Sequence, residues 1–122
     1  MSLFERIPSI LQIPAFAVLI FLIDIPWLTL VSDAFGTMVR NIQGSSLQLN
    51  AFAAAVVYIA LGYLLTLPKS ISEAFLLGLS TYAVFDFTNL SVFKDYELRL
   101  AVADSLWGGI LMSIAFYIKT KL

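Results

Sequence analysis

Apolar residues along this chain gather into four long segments separated by short polar stretches. Each segment is close to the roughly 20 residues that an α-helix needs to cross about 30 Å of hydrocarbon. Backbone polar groups inside lipid must bond within their own segment, so all four segments are predicted to be helices. The polar breaks contain the stretches "GSS", "LPKSISE" and "FKDYELR". The sequence therefore predicts an all-α, integral membrane four-helix bundle in a single domain, residues 1–122, with helices at about 14–31, 47–67, 71–90 and 98–118.

Two stretches beside the first segment have an amphipathic pattern. Residues 2–11 read "SLFERIPSIL" and residues 32–42 read "SDAFGTMVRNI", each with its apolar side chains largely on one helical side. This pattern is typical of short interfacial turns that lie on a membrane surface, and an ordinary loop is the alternative. The apolar positions are Leu3, Phe4, Ile7, Ile10 and Leu11 in the first stretch and Phe35, Met38, Val39 and Ile42 in the second.

The composition agrees with burial in lipid. Hydrophobic residues make up 61% of the chain and charged residues 12%, whereas a soluble domain is roughly half apolar and about a quarter charged. The net charge is −1, without a basic run, which argues against a nucleic-acid partner. Cys and His are both absent. Their absence excludes disulfides and thiolate nucleophiles, and it removes the commonest general base and transition-metal ligand.

The basic residues differ slightly in number between the two sides of the predicted bundle. Four crossings would place the N-terminus, the second loop and the C-terminus on the same side. The side richer in Lys and Arg usually faces the cytoplasm, so we expect both termini there. The basic residues on that side are Arg6, Lys69, Lys119 and Lys121, and those on the other side are Arg40, Lys94 and Arg99.

Three carboxylates lie inside the apolar segments. Asp24, Asp86 and Asp104 belong to the first, third and fourth segments, whereas the remaining acids fit loops or helix ends. A charge at the centre of a membrane helix costs about 2.5–3.5 kcal/mol on insertion scales, so these side chains should face protein or water. With a rise of about 1.5 Å per residue, all three lie within about two turns of the same side. The helix order therefore predicts that they meet in one half of the membrane.

Aromatic and small residues share helical faces with these acids. "DIPW" and "DSLW" each place a Trp three residues after an Asp, so the indoles of Trp27 and Trp107 could support a buried polar site. Trp27 could instead anchor the helix at the interface. Thr88 points away from Asp86, and its hydroxyl can bond the carbonyl of Val84. The predicted interior stripes are Ala51, Ala55, Tyr58 and Gly62, then Gly78, Tyr82, Asp86 and Asn89, then Ala101, Asp104 or Ser105, Gly108 and Met112.

The acids have no basic residue at their own depth, and three chemical roles stay open. They can be protonated donors, they can bind an oxygen-ligated cation such as Na⁺, Mg²⁺, Ca²⁺ or Mn²⁺, or they can line a wet path for protons or cations. The structural alternative is that protonated acids only join helices, through hydrogen bonds worth about 0.6 kcal/mol on average. No catalytic residue is expected, and no cofactor beyond such a cation. The candidate ion or ligand site is Asp24, Asp86, Asn89 and Asp104, supported by Trp27, Tyr58, Tyr82, Thr88 and Trp107.

Taken together, these elements resemble a family of small membrane proteins, the domain-of-unknown-function family numbered 2177. The matching elements read "DIPWL", "GLSTYAVFDFTN" and "DSLWG", with Tyr58 and Gly62 between the first two, and they cover nearly the whole chain. Phe85 departs from the family pattern, which has Tyr there, and a Trp usual in the third loop is missing. The resemblance implies a four-helix integral membrane protein and no particular activity. The positions that the resemblance singles out are Asp24, Trp27, Tyr82, Asp86, Thr88, Asn89, Asp104 and Trp107.

Three functions compete on this evidence. The leading hypothesis is conduction or transport of protons or small cations through the acidic site. The second is a structural or assembly subunit of a membrane complex, or of a viral or organellar membrane. A lipid-modifying enzyme is third, since the chain has no Ser-His or Cys-His set, no His-rich metal box and no phosphate-binding Gly loop. The expected partners are the lipid bilayer and either further copies of the chain or a larger membrane complex.

Overall fold

The computed structural model describes residues 3–122, and helices dominate them. A short 3₁₀ turn, Phe4–Arg6, precedes four α-helices, and no strand occurs among the described residues. The all-α, four-helix prediction is thus confirmed. Three of the helices, α1, α3 and α4, are long and apolar enough to cross a membrane. The helix bounds are Ser9–Gln43 for α1, Ala51–Leu64 for α2, Ile71–Val92 for α3 and Leu98–Lys121 for α4.

Helix α1 is longer than the sequence pattern predicts. It has 35 residues and runs through Pro14 and Pro26 without a break. Its stop signal is Gly44, which adopts the left-handed conformation with φ 77° and donates its N–H to the carbonyl of Arg40. Glycine adopts this conformation without the steric cost of a Cβ atom. The predicted helix end at residue 31 is therefore corrected, and residues 32–42 continue α1 instead of forming a separate turn.

Helix α2 is shorter than predicted. It has 14 residues, or about 21 Å at the usual helical rise, instead of the expected span of 47–67. The side chain of Asn50 caps its first turn by accepting the backbone N–H of Ala53 at 3.0 Å, and this cap fixes the start of the helix. Pro68 lies just beyond the last turn, where a proline disfavours helical backbone before it.

The helices pack in the spatial order α2, α1, α4, α3. The closest packing joins α3 to α4, where Gly78 and Gly108 face each other. A Cβ atom on Gly62 of α2 would lie 2.5 Å from the carbonyl oxygen of Ile13, so α2 also approaches the backbone of α1 closely. Glycines permit such contacts between helix backbones. The predicted stripes of α3 and α4 face the interior, but Ala51 and Ala55 of α2 are exposed. Those two predictions are wrong, because α2 contacts the bundle mainly through its second half.

Two apolar clusters stabilise opposite ends of the bundle. The larger cluster fills the end at which Leu3 and Leu122 meet, through a 2.8 Å hydrogen bond from the N–H of Leu3 to the carbonyl of Leu122. The smaller one packs the C-terminal part of α1 onto the start of α4 and the loop before it. The larger cluster is Phe16, Ile20, Leu61, Leu65, Ala74, Leu111, Met112 and Ala115, and the smaller is Met38, Tyr96, Leu100 and Ala101.

Candidate functional site

The two Asp-x-x-Trp elements pair with each other across the interface between α1 and α4. The indole N–H of Trp107 donates to Oδ1 of Asp24 at 2.7 Å. The indole N–H of Trp27 donates to Oδ1 of Asp104 at 2.9 Å. The rings stack, with centroids 5.4 Å apart and planes 14° from parallel. Each Trp thus supports the acid of the other helix, and the exchange joins α1 to α4 by two hydrogen bonds and one aromatic stack.

Helix α2 supplies a further donor to Asp24. The hydroxyl of Tyr58 donates to Oδ2 of Asp24 at 2.6 Å, so both oxygens of this buried carboxyl accept a hydrogen bond. The ring of Tyr58 also meets that of Phe21 edge to face, at 5.2 Å between centroids. The two donors satisfy this carboxyl inside an apolar bundle, where an unpaired polar group would be costly.

Asp86 of α3 is the most deeply buried of the three acids, with 0% of its surface exposed. Its Oδ1 accepts a 2.8 Å hydrogen bond from the hydroxyl of Tyr96. Its Oδ2 is buried without a donor among the described residues. The carboxyl of Asp104 lies within hydrogen-bonding reach of Asp86, while the nearby Ser105 hydroxyl is already bonded to the carbonyl of Ala101 at 2.7 Å. Two carboxyl groups therefore adjoin with no basic side chain between them.

Tyr96 is the site residue that the sequence analysis missed. It lies in the loop between α3 and α4, and the C-terminal part of α1 covers it through Met38. Burial, followed by the hydrogen bond to Asp86, raises the pKa of the Tyr96 phenol, so the hydroxyl stays a donor at physiological pH. Asn89 lies beside this hydroxyl. The sequence signal for Tyr96 is an aromatic residue with a polar tip, a few residues after the Asp86 helix in a short charged loop.

The sequence-predicted residues divide into four groups in the structure. One cavity is lined by five of them: Asp24, Trp27, Tyr58, Tyr82 and Asp104. Trp107 lies outside the lining and donates a hydrogen bond to Asp24. Asp86 lies next to Asp104, outside the cavity wall. Asn89 lies farther from the cavity than Asp86, beside the hydroxyl of Tyr96. Thr88 is exposed on the outer face of α3 and does not join the site, because it lies two residues from Asp86 and so faces away from it.

The cavity has a volume of about 700 Å³ and lies between the C-terminal halves of α1 and α2 and the middle of α3. Its lining is largely apolar, and none of the residues that line it is Lys or Arg. Two lining residues on facing helices, Val57 of α2 and Phe85 of α3, are 53% and 58% exposed. Because α2 and α3 do not pack closely on each other, the cavity opens to the outside of the bundle along the seam between them.

The three acids do not form a ready metal centre. The described residues contain no group of three or more His, Cys, Asp or Glu side chains placed to hold a metal ion. Asp24 is within electrostatic range of Asp104, but its oxygens are engaged by Tyr58 and Trp107. Asp86 and Asp104 form a closer carboxyl pair, within hydrogen-bonding reach of each other.

An all-helical bundle with buried carboxyls and three membrane-length helices defines a small integral membrane protein. The family model described as "Predicted membrane protein (DUF2177)" matches residues 9–120, and the chain belongs to this family. No curated protein and no solved structure matches the chain significantly. The family resemblance found in the sequence is confirmed.

Proposed function

We propose that this protein transports protons or small monovalent cations, with Asp86 and Asp104 as the group that binds and releases them. The observation that carries the proposal is the donor-free Oδ2 of Asp86, fully buried beside a second carboxyl. A buried acceptor without a partner costs about 1–3 kcal/mol, and more when it is charged. One proton shared between the two carboxyls, or one bound cation, removes this cost.

Further polar groups flank this pair on both sides. Tyr96 in the loop donates to Asp86, Asn89 lies beside Tyr96, and Asp104 lies between Asp86 and the cavity. Carboxyl groups at membrane depth commonly mark proton relays. A proton needs only hydrogen-bonded neighbours, so a slim bundle of four helices is wide enough.

The opposite end of the bundle is closed by apolar side chains. The larger core cluster, with Phe16, Ile20, Leu65 and Met112 fully buried, stands between the acidic site and the end that holds Leu3 and Leu122. This arrangement supports a carrier whose site opens to one side at a time, and it disfavours a permanently open pore.

The bond between Leu3 and Leu122 supports the four-span topology as part of this proposal. Two chain ends on the same side require an even number of crossings. Since α1, α3 and α4 are each long enough to cross, α2 with its flanking residues supplies the fourth crossing. We propose that both ends face the cytoplasm, following the predicted excess of basic residues on that side.

Flux measurements on proteoliposomes test the proposal. A membrane potential is imposed, and internal pH or sodium is followed for the wild type, Asp86→Asn, Tyr96→Phe and the control Asp33→Asn, which alters an exposed acid of α1 outside the cavity. We expect wild-type and control flux well above protein-free vesicles, Asp86→Asn at the protein-free level and Tyr96→Phe reduced. Equal flux in wild type and Asp86→Asn would eliminate the proposal.

The alternative of an assembly subunit makes the opposite prediction. In that case the carboxyls contribute only stability, and a partner occupies the open seam between α2 and α3. A stoichiometric partner that co-purifies in mild detergent, together with no flux in any variant, would favour it.

A further inference from the structure

The open cavity differs in chemistry from the proton site behind it. It is about 700 Å³, within the range of roughly 300–1,000 Å³ typical of small-molecule sites, which combine apolar walls with a few convergent polar groups. Here the convergent groups are the carboxyls of Asp24 and Asp104, which lie on its wall at 4% and 8% exposure.

The polar groups of the wall favour a positive charge. Thr81 and Ser32 also line the cavity, but their hydroxyls donate to their own helices, to the carbonyls of Leu77 and Thr29. The ionisable groups of the wall with acidic chemistry are the carboxyls of Asp24 and Asp104, and no Lys or Arg lines the cavity beside them. The fully buried Oδ2 of Asp86, which has no donor and adjoins Asp104, shows independently that the acidic cluster lacks positive charge.

Aromatic rings of the wall provide a second attraction for a cation. Trp27, Tyr58, Tyr82 and Phe85 all line the cavity. A cation over such a ring is attracted by the negative face of the ring, and the attraction is stronger where water is excluded. The entrance lies on the seam between α2 and α3, beside exposed Val57 and Phe85. A ligand that reaches this entrance from the bilayer must itself dissolve in lipid.

We propose that the cavity binds a lipophilic organic cation, which enters from the bilayer between α2 and α3 and places its charge near Asp24 and Asp104. The apolar walls hold the body of the ligand, and the carboxylates and aromatic faces hold its charge. Binding does not require proton transport, so this inference can stand or fall separately from the function proposed above.

Tetraphenylphosphonium is the probe, and triphenylphosphine oxide is a neutral comparator of similar shape. The chain has two Trp residues, and both lie at the site, so their fluorescence in phosphatidylcholine nanodiscs reports occupancy. Equilibrium dialysis of labelled probe gives the stoichiometry. No membrane potential is applied, so a failed flux experiment does not affect this result.

Two pairs of variants separate charge from shape. Asp104→Asn removes a carboxyl from the wall, and Asp33→Asn is its control on α1. Ala60→Phe fills part of the cavity without touching an acid, and Ala53→Phe, on an exposed position of α2 outside the cavity, is its control. Circular dichroism checks that each variant is folded.

We expect saturable binding of one cation per chain. Loss of a charged contact worth about 1.5–3 kcal/mol corresponds to at least a tenfold weaker affinity in Asp104→Asn. Ala60→Phe should weaken binding to a similar extent, and both controls should bind like the wild type. The inference is overturned if the wild type shows no saturable binding, if the neutral comparator binds as tightly, or if Ala60→Phe leaves the affinity unchanged.

Discussion

Asp24 shows how single side chains make a buried acid tolerable in this protein. Its two oxygens accept hydrogen bonds from Trp107 and Tyr58, which belong to two other helices. Asp104 has one such donor from Trp27, and Asp86 has one from Tyr96. Asp24 therefore has two donors and the other two acids have one each. The buried oxygen without a donor belongs to Asp86, which is the most buried of the three.

Replacing Tyr58 tests the value of the second donor to Asp24. Tyr58→Phe leaves the ring and its contact with Phe21, but removes the hydroxyl that donates to Oδ2. A buried acceptor without its donor should lower the free energy of unfolding by about 1–3 kcal/mol. Denaturant titration in detergent micelles measures this change.

The matched control for this prediction is Tyr63→Phe in the same helix. The Tyr63 side chain is 52% exposed, so its hydroxyl can be lost without burying an unpaired group. Equal stability of the two variants would show that the bond between Tyr58 and Asp24 contributes nothing to the fold.

At the scale of the helices, close approach of backbones determines where the acids meet. Gly78 and Gly108 let α3 and α4 pack directly on each other, and Gly109 leaves room for the ring of Phe75, which would lie 2.7 Å from an added Cβ atom. Because α3 and α4 are this close, Asp86 and Asp104 adjoin. The length of α1 matters as well, since its C-terminal part covers Tyr96 and keeps that hydroxyl on Asp86.

A methyl group between α3 and α4 should separate them. The Cβ atom of Gly78→Ala would overlap the backbone of Gly108, and overpacking of this kind typically costs about 1–3 kcal/mol. We expect a lower free energy of unfolding, measured in the same titration, and a weakened contact between Asp86 and Asp104.

Gly36→Ala in α1 is the control for this substitution. Nothing lies within 4 Å of a Cβ atom added there, and alanine favours a helix interior over glycine by about 0.5–1 kcal/mol. This variant should be as stable as the wild type or slightly more stable. A Gly78→Ala protein that matches it would contradict the close packing of α3 and α4.

On the scale of the whole molecule, one end of the bundle is closed. That end holds the contact between Leu3 and Leu122 and the larger apolar cluster. Tyr96 and the cavity lie away from that end, so in the proposed transport function protons enter from the side of the loop between α3 and α4. The cavity opens at the seam between α2 and α3, which faces the lipid in the proposed topology.

Single cysteines test this topology, because the natural chain contains none. Lys69→Cys and Thr120→Cys should react with a membrane-impermeant maleimide from one side, and Ser45→Cys and Lys94→Cys from the other. All four positions are exposed. If Ser45→Cys and Lys69→Cys react from the same side, α2 does not cross the membrane.

Much of this architecture could be read from local patterns. Hydrophobic segments about 20 residues long predicted the helices, and the cost of burying Asp24, Asp86 and Asp104 predicted that these side chains face inward. The ends of the helices are harder to predict from the sequence. The apolar pattern predicts an end near residue 31, but α1 continues to Gln43, because packing against the loop before α4 stabilises its C-terminal part.

By itself the sequence determined an all-helical membrane protein with acids in three helices and a Trp three residues after two of them, since hydropathy and helical spacing depend only on neighbours along the chain. The tertiary structure decided which donor pairs with which acid: Trp27 with Asp104, Trp107 with Asp24 and Tyr96 with Asp86. It also decided that a cavity opens between α2 and α3. Those pairings depend on how helices cross and how closely they pack, which residues distant in sequence determine together.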